Sequence, residues 1–179
     1  MSLTQAYPYL QDASQSGYFG TVLFSKVPFL SSETHHLGAR GHPSLEVAVT
    51  WQNRTVTIYG AHPYPPLGPR GSARRDSELA AVQDVLAEVT TPLVMMGDLN
   101  ATPWSTPLRG LLRVTGLRPA TLAHGIQPTW RLGSLLFGAP LDHVLVSSHW
   151  QCVGFKVGAD VGSDHYPVVA DLVLKKAEV

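Results

Sequence analysis

The chain has almost no cysteine. Cys152 stands alone among 179 residues, so no intramolecular disulfide can form and a domain stapled by oxidation is excluded. It reads instead as a core residue. Long apolar runs are missing too: nothing approaches the roughly 18 consecutive apolar residues that span a bilayer, and the first residues lack the charged-then-apolar pattern of a secretory leader. The expectation is a soluble chain without a membrane segment, in which Met1-Ser2-Leu3 marks an added start on a piece of a longer protein. Charge of one sign is not in excess. Thirteen Lys and Arg balance thirteen Asp and Glu, which removes the electrostatic footprint of a protein that coats nucleic acid. A phosphate-bearing substrate stays open, because a bound metal supplies positive charge that a whole-chain count does not register.

What is present is a series of short strands interrupted by helices. Residues 1–16 show neither helical nor strand period and read as an irregular arm; one domain over 17–175 and a tail over 176–179 follow. YFGTVLFS (18–25) is aromatic and β-branched and is closed by Pro28, which cannot donate to a sheet ladder. Residues 31–44, with two Gly, one Pro and three His, have loop composition, and His35, His36 and His42 are expected to be exposed there. Residues 46–51 and 54–59 alternate around Gln52-Asn53 and predict a hairpin. The proline-rich stretch 63–69 must be a loop, and Leu79, Val82, Leu86 and Val89 form the stripe of a helix over 72–89. A buried strand over 93–96 ends in Gly97-Asp98, a second helix covers 105–113, and strands cover 141–148, 166–174 and, more weakly, 151–157. A layered sheet core with outer helices fits this order better than a bundle.

Acidic and histidine residues stand at the ends of apolar strands in four places: His62, Asp98 with Asn100, Asp142 with His143, and Asp164 with His165. Singly, such a residue is a turn former or cap. Their recurrence points to chemistry. Carboxylate and amide oxygens suit a hard cation such as magnesium or manganese, and histidine beside a carboxylate suits proton transfer. His143 is expected to point away from the side of Asp142, since neighbouring strand residues face oppositely.

GDLNATPWS (97–105), PLDHVLVSS (140–148) and GSDHYPVVADL (162–172), in this order, resemble the later motifs of the endonuclease/exonuclease/phosphatase superfamily. YGAHPYPP (59–66) is similar to its central strand ending in a histidine, and GYFGTVLFSKVPF (17–29) to the strand before it. The HP-x-PP and GDLNATPWS wording looks especially like the YafD-like bacterial branch, whose members often carry amino-terminal membrane helices, so the resemblance implies a membrane-anchored parent. It implies an α/β fold, a two-sheet, four-layer α/β/β/α sandwich with its active site where loops from both sheets meet.

By position, the resemblance makes His165 the catalytic histidine and Asp142 its orienting carboxylate. Asp98 would align or activate water, Asn100 donate to a phosphoryl oxygen, and His62 contact the same group or protonate the leaving oxygen. Asp164, with Asp98 and Asn100, would hold magnesium or manganese. Substrates in the superfamily include nucleic acid, lipid headgroups and small phosphomonoesters. The superfamily's opening strand with an asparagine, and its L-Q-E-like block with a glutamate metal ligand, have no counterpart; Leu10-Gln11-Asp12 is only an echo of the second. A sandwich incomplete at its amino terminus would expose sheet edges and apolar faces that another copy of the chain could cover. The rival reading is therefore a catalytically incomplete remnant acting as a binding or structural module. A serine hydrolase is excluded by the lack of a G-x-S-x-G turn. Trp104 and Trp130 are candidates for a substrate groove or for loop packing, and Arg70, Arg74 and Arg75 for contact with a substrate phosphate or, more commonly, for a solvated helix start.

Overall fold

The computed structural model describes residues 3–15, 19–38, 41–132 and 134–176. A single turn, α1 (Leu3–Ala6), leads into a hairpin of β1 (Tyr9–Ser14) and β2 (Gly20–Ser25). Three strands follow in antiparallel sequence, β3 (Phe29–Leu37), β4 (His42–Trp51) and β5 (Arg54–Gly60). Gln52 and Asn53 both take positive φ, 50° and 60°, the backbone that lets a two-residue loop match the twist of β4 and β5. Helix α2 (Gly68–Ala87) has Pro69 in its first turn, where the missing N–H costs nothing, and leads to β6 (Leu93–Asp98), parallel to β5.

Helix α3 (Thr106–Thr115) ends on Gly116 in the left-handed region at φ 68°, its N–H capping Leu112. Then come β7 (Arg118–Pro119), a short 3₁₀ turn, and the hairpin of β8 (Trp130–Leu132) with β9 (Ser134–Ala139). Strand β10 (Asp142–Val146) precedes a last hairpin, β11 (Trp150–Val157) with β12 (Val168–Leu174).

The central sheet has the order β3-β4-β5-β6-β10-β7, and alternation along its strands sorts side chains to two buried faces. Tyr59, Met95 and Leu145 meet Leu79, Val82 and Leu86 of α2 and Leu108 and Leu111 of α3. On the opposite face Val56, Val94, Val144 and Val146 meet Trp150, Leu174 and the partly buried Cys152 and Leu172. The β1–β2 hairpin lies against β4 and the β11–β12 hairpin against β10 on this second face. The result is the expected α/β sandwich, with both long helices on the first face. Between the two hairpins runs an apolar cleft of about 380 Å³ whose lining includes Phe24, Val27, Ile58, Val94, Met96 and Leu172.

Two expectations need correction. The segment 1–16, read as irregular, contains β1, paired residue for residue with β2 from Tyr9↔Ser25 to Ser14↔Gly20. Its side chains stay largely exposed on both faces, so no burial period was written into the sequence. The supposed loop over 31–44 is mostly β3 and the start of β4. Polar partners hold it: His35 Nε2 bonds Glu46 at 2.9 Å and His36 Nδ1 bonds the Gly41 carbonyl at 2.9 Å. His42, expected on the surface, is only 8 % exposed. The tail beyond Lys176 and Tyr18 at the start of the expected strand lie outside the described residues. No helix among the described residues is long and apolar enough to cross a membrane.

Candidate active site

The site forms where β5, β6 and β10 reach the same edge of the central sheet. Strand β5 ends just before His62, β6 ends at Asp98, and β10 starts at Asp142. Asp142 and Asp98 are register partners across the antiparallel β6–β10 pair. Gly97 makes the close approach possible: at φ 145° it sits so near Ala61 that a Cβ would lie 2.0 Å from the Ala61 carbonyl oxygen. His165 arrives from the loop before β12, held by an isolated bridge to Trp130.

The contacts define a line of titratable groups. His165 donates from Nδ1 to Asp142 Oδ2 at 2.8 Å, which turns its Nε2 toward Asp98 Oδ2, 3.6 Å away. His62 Nε2 approaches the same Asp98 oxygen, also at 3.6 Å. The other Asp98 oxygen accepts the Asn100 N–H at 2.8 Å. Asn100 is 7 % exposed and takes φ 48°; its amide donates to the Pro63 carbonyl at 3.0 Å, and its own carbonyl accepts from Arg75 at 2.6 Å. All five residues expected to be catalytic, His62, Asp98, Asn100, Asp142 and His165, thus meet at one edge.

Asp164 stands next to them but outside the tight cluster. It is exposed, and its Oδ2 accepts the Trp130 indole N–H at 3.3 Å. His143 points the other way, as alternation requires, and is buried with Nε2 donating to the Ala101 carbonyl at 2.7 Å.

Burial and neighbouring charges shift the titratable groups at this edge. Burial raises the Asp98 carboxyl above its ordinary range; the Asn100 N–H opposes this, Asp142 adds to it, and the two histidines pull it back. Burial alone would lower the His165 imidazole, but the Asp142 hydrogen bond and charge, with Asp98 and Asp164, outweigh it and hold the proton more tightly than usual. His143 goes down, chiefly through burial, with the Ala101 bond working against it.

One oxygen each from Asp98 and Asp142 and one nitrogen from His165 lie within 4.8 Å of one another, a donor set that fits a divalent cation tolerant of nitrogen. Three supporting residues escaped sequence reasoning. Thr129 and Glu78 are buried at 1 % and 4 %, and Arg75, read as solvated, is spent on the Asn100 carbonyl. A readable signal existed only for Glu78, an acid four residues before Val82 on the apolar stripe of α2.

The structure is thus an α/β sandwich with a carboxylate–histidine cluster at the strand ends. Residues 2–165 match the Endonuclease/Exonuclease/phosphatase family, and the chain belongs to it. Members of this family are phosphoester hydrolases and generally use a divalent metal. No curated protein matches the sequence. Among solved structures, humanized D. rerio TDP2 superposes with a TM-score of 0.76 at 17 % identity, over 95 % of this chain and 78 % of that one. An endonuclease/exonuclease/phosphatase from Beutenbergia cavernae gives 0.72 at 22 % identity, over 87 % of this chain and 48 % of that one. Sphingomyelinase C from Streptomyces griseocarneus gives 0.65 at 18 % identity, over 93 % and 78 %. At these identities the likeness is one of fold.

Proposed function

We propose that the chain is a magnesium- or manganese-dependent phosphoesterase that hydrolyses a phosphodiester or phosphomonoester by direct attack of an activated water. The observation that carries this reading is the Asp142–His165–Asp98 line, 2.8 Å at one joint and 3.6 Å at the other. Asp142 fixes the tautomer of His165, so Nε2 is the atom that takes the proton from the attacking water. Asp98 aligns that water. Asn100 spends one amide hydrogen on Pro63 and keeps the second for a phosphoryl oxygen. His62, 31 % exposed at its side chain, is the group placed to meet the leaving oxygen. With Nε2 reserved for the proton, Asp98 and Asp164, beside Asn100, are the residues to hold the ion, Asp164 being within reach of solvent. A divalent cation bound there would neutralise charge on the phosphoryl oxygens.

The substrate belongs to the phosphate esters of nucleic acid or lipid headgroups. One solved relative is TDP2 complexed with a single-strand DNA product and another is a sphingomyelinase C, which supports that range. The HPYPP and GDLNATPWS segments support placement in the YafD-like bacterial branch. A second reading, a domain lacking part of its catalytic set, is favoured by the apolar cleft of about 380 Å³ left open between the hairpins. Hydrolysis of bis(p-nitrophenyl) phosphate with magnesium, manganese or EDTA, beside His165→Ala, separates the two. Metal-dependent turnover lost in the variant supports the enzyme; a folded chain without turnover supports the incomplete domain.

A further inference from the structure

The Asp142–His165 bond joins two segments 23 residues apart, and nothing in either segment alone fixes their spacing. One residue touches the backbone of both. Thr129, 1 % exposed, donates its N–H to the Ala139 carbonyl at 3.1 Å and accepts the Tyr166 N–H on its carbonyl at 2.7 Å. Its side-chain Oγ1 accepts two further backbone donors, Leu141 N–H and Asp142 N–H, both at 3.0 Å. The hydroxyl oxygen therefore holds the first residue of β10, while the carbonyl holds the residue after His165. Gly138 closes the cradle from the other side: a Cβ there would lie 2.6 Å from the Trp130 carbonyl and 2.8 Å from Pro128 Cβ.

We infer that Thr129 is a positioning residue, a buried hydroxyl that sets the separation of Asp142 and His165 and so keeps the imidazole in the tautomer the reaction needs. A Val side chain has the same shape but no acceptor, which leaves two part-buried N–H groups without a partner and lets the start of β10 move. Serine keeps the acceptor and loses only a methyl. A displacement of about 1 Å at a catalytic pair costs on the order of a hundredfold in rate.

The kinetic arm rests on the phosphoesterase reading; a spectroscopic arm does not. Thr129→Val, Thr129→Ser and wild type are compared in bis(p-nitrophenyl) phosphate hydrolysis and in the far-downfield proton NMR region, where the His165 Nδ1 proton bonded to Asp142 resonates and is assigned by its loss in Asp142→Asn. Thr129→Ala, which cannot crowd the site, replaces the Val variant if that one does not fold. The expected result is a kcat lower by on the order of a hundredfold with KM changed by no more than about twofold in Thr129→Val, near-wild-type values in Thr129→Ser, and the downfield proton lost in the first and kept in the second. If wild type does not turn over, the enzyme reading fails and the proton resonance alone decides. A resonance unchanged in Thr129→Val, or lost equally in Thr129→Ser, overturns the role of the hydroxyl, as does an unchanged kcat.

Discussion

Asp98 and Asp142 face each other as cross-strand partners, two carboxylates set directly opposite at the end of β6 and the start of β10. Like charges in that position oppose folding. His165 reduces the conflict by bonding Asp142 and approaching Asp98, yet Asp98, chiefly through burial and further through Asp142, still ionises less readily than an ordinary carboxyl. The proposed hydrolysis gives such a pair its use. Replacing one member should separate stability from function: Asp98→Asn is expected to raise metal-free stability by up to about 1 kcal/mol while abolishing turnover. Urea unfolding in EDTA together with the phosphodiester assay checks both halves, and an Asp98→Asn protein less stable than wild type would contradict the electrostatic account.

Asp142 is expected to matter through His165. Asp142→Asn keeps the shape but offers the imidazole the wrong partner, so kcat should fall on the order of 10³- to 10⁴-fold, as in other histidine–carboxylate pairs. KM should hardly move. Equal losses in kcat and in substrate binding would instead assign Asp142 to binding.

Much of this site was legible because its residues sit where apolar runs stop: Asp98 after LVMMG, Asp142 before HVLV, His62 after a strand that alternates cleanly. The α2 stripe and the Gln52-Asn53 turn were readable for the same reason, a period or a turn chemistry contained within a few residues. Strands β1 and β3 were not, since β1 is exposed on both faces and β3 is held by cross-strand pairs such as His35–Glu46 that local composition cannot reveal. Thr129 and Arg75 were invisible for a related reason. Their partners, Asp142 and Asn100, are 13 and 25 residues away, and a polar side chain carries no local mark of being buried by distant strands.

Glu78 should prove a structural keystone behind His62. Its two oxygens accept from His42 Nδ1 and from the Tyr64 N–H, each at 2.7 Å, and His42 and Tyr64 also stack on Phe19. Glu78→Ala leaves the buried His42 donor and the part-buried Tyr64 N–H without an acceptor and should cost about 2 to 3 kcal/mol in chemical denaturation. Glu78→Gln preserves one acceptor and should lose about half as much. Equal costs for the two variants would show that packing, rather than hydrogen bonding, sets the effect.

His143 is expected to make the fold sensitive to acid. Burial depresses its folded-state affinity for a proton below that of the unfolded chain, whose histidine titrates near pH ~6.5. Below that pH the unfolded state binds more protons than the folded state, so this stabilisation is present above about pH 6.5 and is lost as pH falls. The urea midpoint, measured in EDTA, should drop between about pH 7.5 and about pH 5. His143→Gln should flatten that slope. A variant retaining the wild-type slope would move the acid sensitivity to other groups.

The outer face of the second layer leads to the last expectation, self-association. Strand β12 alternates inward Val168, Ala170 and Leu172 with outward Val169, Asp171 and Val173, so two valines, 41 % and 46 % exposed, point into solvent. Val22 on β2, Leu10 on β1 and Val153 on β11 are exposed to 42 %, 45 % and 54 %. Both long helices are on the opposite side of the central sheet, and the cleft between the hairpins adds further unburied apolar lining. Exposed apolar side chains on paired strands favour association, and a second copy offers the matching face by two-fold symmetry. Sedimentation should therefore show a concentration-dependent dimer in the range of about 10 to 100 μM, the weak end of specific association. Val169→Lys with Val173→Lys places like charges on that face and should restore the monomer without touching His165, Asp142 or Asp98. A wild-type chain that stays monomeric across the range would show that these valines are tolerated singly, and a dimer unaffected by the two lysines would place the contact elsewhere.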